Sequence, residues 1–133
     1  MKKIIFTLLI SLFTYVGNAQ KVYRAVTAEL YRIGTNQEWV LDTKLSDLKI
    51  DITVEDEFIS IHAKSPTMYR IFVNSKESLS TKTLRGYRYD GVDLKLNENI
   101  KVDILKSIES NLGIISIINS NKGFNFRYFI ETE

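Results

Sequence analysis

The chain has 133 residues, with 18 Lys+Arg against 16 Asp+Glu, a single histidine and no cysteine. That length suits one domain, and the missing cysteine excludes disulfide staples, a thiol nucleophile and a typical structural zinc site. One proline and six glycines argue against a disordered tail.

The first stretch, "MKKIIFTLLISLFTYVGNAQ", joins a basic pair (Lys2, Lys3) to an apolar run (Ile4 to Val16) and a small-residue site at Gly17-Asn18-Ala19. This layout predicts a cleavable signal peptide over 1–19. The apolar run is shorter than the roughly 20 residues a membrane-spanning helix needs, and no cysteine offers a lipid-acceptor site. The expected product is secreted or periplasmic and starts at Gln20. Lys2 and Lys3 leave with the leader, so sixteen basic groups then face sixteen acidic ones. A neutral balance gives no electrostatic ground for binding nucleic acid or an anionic membrane surface.

From there period-two alternation dominates. Val22–Ile33 and Glu38–Thr43 read as strands around a Gly34-Thr35-Asn36 turn. "LKIDITV" sets Leu48, Ile50, Ile52 and Val54 against Lys49, Asp51 and Thr53, as a half-buried antiparallel strand does. Phe58–Ala63, Met68–Asn74 and Thr81–Tyr89 follow as further strands. "DGVDLKLNEN", from Asp90 to Asn99, reads as a long connection able to cross an open end. "IKVDI" (Ile100–Ile104), Ile114–Asn119 and "FNFRYFIE" complete the set, the last placing Phe124, Phe126, Tyr128 and Ile130 on one side. Leu105–Leu112 reads as a strand end plus a turn. Short strands separated by tight polar turns predict an all-β fold. The expectation is an antiparallel up-and-down meander of about eight to nine strands, a small barrel or sandwich, forming one domain over 20–133. Insertion into a membrane as a barrel is not expected, because Arg24, Glu29 and Arg32 put charge on both faces of the first strand.

Candidate chemistry is sparse. His62 shares a strand face with Phe58 and Ser60, opposite Ile59, Ile61 and Ala63, and reads as a solvent-side histidine with no G-x-S-x-G or H-E-x-x-H context. The acidic stretches Glu55–Glu57 and Asp90–Asp93 do not follow calcium-loop spacing. No catalytic residue, metal or cofactor is expected, and the chain reads as a non-enzyme. Tyr-Arg pairs recur at 23–24, 31–32, 69–70 and 87–88, each sending one ring and one guanidinium to opposite faces. Arg70 shares a face with Met68 and Phe72, so an inward Arg70 would need a partner, whereas an outward one leaves Tyr69, Ile71 and Val73 to line the core.

The stretch "LRGYRYDGV" partly fits an RNA-recognition signature, but Arg88 and Asp90 break it and the required helices are missing. Arg85, Tyr87 and Tyr89 fall on one face of a strand that is expected to turn at Asp90-Gly91. This R-x-Y pair resembles the carboxylate clamp of fatty-acid-binding proteins, a calycin family, although that family carries the pair near its C-terminal end beneath a helical lid. The lipocalin G-x-W signature is missing, because Gly34 and Trp39 are too far apart. Arg85, Tyr87 and Tyr89 are therefore the candidate ligand-binding residues, against the plainer expectation of a surface tyrosine–arginine ladder. The whole chain resembles uncharacterised small secreted β-proteins of Gram-negative bacteria. The expected function is an exported, non-enzymatic binding or protein-interaction module, and the alternative is a calycin-type carrier of a small anionic or hydrophobic ligand.

Overall fold

The computed structural model describes residues 21–131; the leader expected over 1–19 lies outside the described residues. Ten strands run in chain order: β1 (Lys21–Ile33), β2 (Trp39–Leu45), β3 (Ile50–Val54), β4 (Phe58–His62), β5 (Thr67–Ile71), β6 (Glu77–Ser80), β7 (Leu84–Asp93), β8 (Glu98–Ser107), β9 (Leu112–Asn119) and β10 (Phe124–Glu131), with one 3₁₀ turn at Val73–Ser75. All pairings are antiparallel. β1 pairs with β10 along one edge and with β3 on the other, closing eight strands into a barrel in the order β1-β3-β4-β5-β7-β8-β9-β10. β2 and β6 sit outside the ring as extra strands on β1 and β7. The fold is thus an all-β meander, and of the two expected architectures it is the barrel.

The alternation read from the sequence explains the interior. Ile52, Ile59, Ile61, Tyr69, Ile71, Ile100, Val102, Ile115, Ile117, Tyr128 and Ile130 all point inward and form one continuous buried cluster with Tyr23, Ala25 and Ala28. Burying each isoleucine contributes roughly 1.5–3 kcal/mol, so a domain without disulfides is held by this plug of branched side chains. Three Tyr-Arg pairs resolve the same way, with Tyr23, Tyr69 and Tyr87 on the inward parity. Their neighbours point outward: Arg24 binds Asp51, Arg70 lies over the Phe72 ring and Arg88 binds Asp103. At 31–32 the order inverts, because a bulge between Ala25 and Thr27 flips the parity of β1. Tyr31 therefore lies outside, donating to Glu29 and stacked under Arg127. The bond to Glu29 and burial raise its phenol pKa.

Outside, the register lines up Glu77, Arg88, Asp103, Ser116, Arg127, Glu29 and Lys44 across seven strands. Charges of opposite sign directly opposite each other stabilise a sheet. The strongest link is the two-pronged Arg88–Asp103 pair at 2.6 and 2.9 Å, which also raises the Arg88 pKa.

Three expectations about local structure are corrected. Thr81–Tyr89 is not one strand: Thr81 accepts bonds from the Thr83 and Leu84 amides through its hydroxyl, which closes a turn between β6 and β7. The strand through Met68 stops at Ile71, because the Phe72 amide turns to the Asp90 carbonyl and the chain enters the 3₁₀ turn. Asp90-Gly91 is not a turn, and the segment to Asn99 crosses no open end. β7 continues to Asp93, whose carboxylate accepts the Lys95 and Leu96 amides and folds a tight hairpin into β8.

Candidate functional site

The site is built where β7 changes partners. Its first half, Arg85 to Arg88, pairs with β6, and its second half, Gly91 to Asp93, pairs with β5. Between the departing β5 and the added β6 the wall of the barrel parts, and a cleft of about 1100 Å³ opens at that end. The glycines on either side of Tyr87-Arg88-Tyr89 are demanded by close backbone approach. A Cβ at Gly86 would run into the Ile104 carbonyl oxygen, and one at Gly91 into the Arg70 carbonyl oxygen.

Arg85, Tyr87 and Tyr89 lie on one face of β7, as expected, and all three line the cleft. That face is the inward parity of the barrel, since Tyr89 packs on the core cluster. Arg85 and Tyr87 are exposed there, so the same face is at once a surface ladder and a cleft wall. Arg88 points to the opposite side. Tyr87 forms part of the rim and carries the Lys76 ammonium 3.8 Å from its ring centroid, a cation–π contact. Tyr23, Ile71 and Ile104 give the cleft an apolar floor. Burial raises the phenol pKa of Tyr23, so the floor carries a neutral hydroxyl at neutral pH.

Sequence reasoning missed Lys106. In the β8 register it stands directly opposite Arg85, and both line the cleft. Its signal was present: Ile100, Val102 and Ile104 set an inward parity that Lys106 continues with a cation. Like charges directly opposite destabilise a sheet. The other like-charged register pair among the described residues, Asp93 with Glu98, is relieved on both sides. Asp93 accepts backbone amides, and Glu98 is met by Asn119 and Lys122. No ion pair relieves Arg85 or Lys106 among the described residues. Across the opening, the β3–β4 turn supplies Glu55, Asp56 and Glu57, equally without ion pairs among the described residues.

The remaining candidates are placed elsewhere. His62 is exposed on the outside of β4, its Nε2 2.9 Å from the Thr53 hydroxyl. Asp90 binds Lys101, and Asp93 is committed to its hairpin. No group of three histidine or carboxylate side chains able to hold a metal ion occurs among the described residues. Comparison with known proteins finds no matching family model, no matching curated protein and no matching solved structure.

Proposed function

We propose that this chain is an exported, non-enzymatic binding module whose barrel-end cleft engages an anionic group of its ligand or partner. The observation that carries this reading is the Arg85–Lys106 pair, two cations opposite each other in the cleft wall and in no ion pair among the described residues. A bound carboxylate or phosphate would relieve their repulsion and accept charge-assisted hydrogen bonds from the guanidinium. Tyr87 and Tyr89 beside them supply phenols and flat apolar area for the rest of the ligand. The leader-like N-terminal pattern supports export, and a ligand met outside the cytoplasm suits an open, preformed cleft.

The alternative is a calycin-type carrier, favoured by the closed eight-stranded ring and by the apolar floor of Tyr23, Ile71 and Ile104. A filled mid-barrel leaves the end cleft as the place for an alkyl chain. Fluorescent fatty acids and the matching uncharged alcohols test both readings. Saturable binding of the acid that Arg85→Ala weakens by about one to two decades, the equivalent of a charged hydrogen bond of roughly 1.5–3 kcal/mol, is the expected result. Equal binding of acid and alcohol, unaffected by Arg85→Ala, would leave only the carrier reading standing.

A further inference from the structure

We infer that the ligand of the cleft is an extended peptide segment that adds as a strand to the open edge of β6; this rests on the reading of the cleft as a binding site. Among the described residues β6 pairs only with β7. The Thr81 amide donates to the Leu84 carbonyl at 2.8 Å, so 81 and 84 form a hydrogen-bonded pair. Antiparallel ladders alternate bonded and non-bonded pairs. Leu79 and Glu77 therefore direct their backbone groups to β7, while Ser78 and Ser80 direct theirs to the open edge. Both serines line the cleft.

Open edges are usually blunted by short length, a charged residue (lysine above all), a proline or a bulge. β2, the other strand outside the ring, follows this rule, with a register shift at Asp42 and with Lys44 on the strand. β6 is short and begins with Glu77, but it has no lysine, proline or bulge. Its sequence is Glu-Ser-Leu-Ser, and its register runs unbroken from Glu77 opposite Arg88 to Ser80 opposite Arg85. A regular, unpaired edge facing a cleft is the geometry of strand addition, in which main-chain bonds supply affinity and alternate side chains supply specificity.

Charge defines the peptide. The wall behind β6 carries Lys76, Arg85 and Lys106, and the facing turn carries Glu55, Asp56 and Glu57. A small anion would meet the first set only, leaving the acidic turn and the serine amides unused. A strand bearing carboxylates at one end and ammonium groups at the other meets all three features.

The test uses the exported full-length domain and an N-acetylated octapeptide, Val-Glu-Val-Glu-Val-Lys-Val-Lys, which places its charges on one face when extended. Two further versions carry N-methyl groups on one or the other alternate set of amides. Only one edge of an added strand faces β6, so one methylated set is expected to weaken binding at least tenfold while the other is tolerated. Amide exchange at Ser78 and Ser80 should slow when the parent peptide binds. Equal affinity of both methylated versions, or no peptide binding beside Arg85-dependent binding of a fluorescent fatty acid, would overturn strand addition and leave the anion site standing. If Arg85→Ala changes no probe's affinity, or if neither peptide nor fatty acid binds, the reading of the cleft falls and this inference falls with it.

Discussion

β1 and β7 solve the same problem with opposite results. Each is a long strand that keeps one neighbour along one edge (β10 or β8) and shares the other edge between two strands. β1 leaves β3 after Ala25 and takes up β2 from Ala28; β7 leaves β6 after Arg88 and takes up β5 from Gly91. At β1 the gap is plugged. The Leu48 amide donates to the Val26 carbonyl at the bulge, and the Leu48 side chain packs on the core. At β7 only the upper part of the gap is tied, by Phe72 and Ser75 bonding to the Asp90 backbone. Below it, β7 presents Arg85 and Tyr87 where an apolar side chain would have sealed the wall. A split barrel strand becomes core or cleft according to the side chain that follows it.

The sharpest way to break the comparison is to damage the closed side. Ile52 lies opposite Tyr23 on β3 and is fully buried. Ile52→Ala is expected to cost roughly 2–5 kcal/mol, measured by urea denaturation, because its neighbours come from strands that the ring holds in place. A loss below about 1 kcal/mol would mean that the interior collapses freely around the void. Leu48→Ala should cost less, roughly 1–2 kcal/mol, since Leu48 is only partly buried. Its second effect is the informative one: unplugging β1 should admit an apolar dye that the parent domain excludes from that side. No new dye binding would show that the bulge, and not Leu48, seals the β1 gap.

Much of this architecture was legible in the sequence because strict alternation encodes which side of a strand meets the core. The runs around Ile52, Ile100–Ile104 and Phe124–Ile130 needed nothing else. What failed was the placement of ends. Asp90-Gly91 looks like a turn, yet Gly91 is there because Arg70 of the neighbouring strand comes too close for a Cβ, a cause that exists only between strands. Thr81 closes its turn through a hydroxyl, without glycine or proline to announce it. The site was half legible for the same reason. Arg85, Tyr87 and Tyr89 share a parity within one strand, whereas Lys106 joins them only through a register. Glu55–Glu57 join only through the β4–β5–β7 pairings, which hold their turn beside the end of β5.

Alkaline pH should probe the filled interior. Burial raises the phenol pKa of Tyr128 and of Tyr69, the latter partly opposed by a bond to Thr67. The unfolded chain titrates these phenols near the ordinary tyrosine value of 10.0 and so loses protons first. Their contribution to stability is complete below that value and falls as pH rises through it toward the folded values. Urea midpoints should therefore decline above pH 10, and Tyr128→Phe should make the decline shallower. An unchanged alkaline slope in the Phe variant would place the titrating phenols elsewhere.

The smallest expected effect on stability is the most telling for function. In Lys106→Glu the new carboxylate stands opposite Arg85, converting the one like-charged register pair left unrelieved among the described residues into an ion pair of the kind found at Arg88–Asp103. A cross-strand exchange of this type is expected to stabilise the domain by roughly 0.2–1 kcal/mol. If two cations are kept together only to receive an anion, the same substitution should also abolish anionic-probe binding, since the site then carries its own carboxylate. Sodium chloride should erase the stability gain, because exposed pairs are screened, without restoring binding. Denaturation midpoints and probe titrations on one preparation decide the matter. A variant that is more stable and binds the probe as tightly as before would show that Arg85 and Lys106 face each other for no reason of binding. A variant that is more stable and binds nothing identifies the repulsion across β7 and β8 as a cost borne for the ligand.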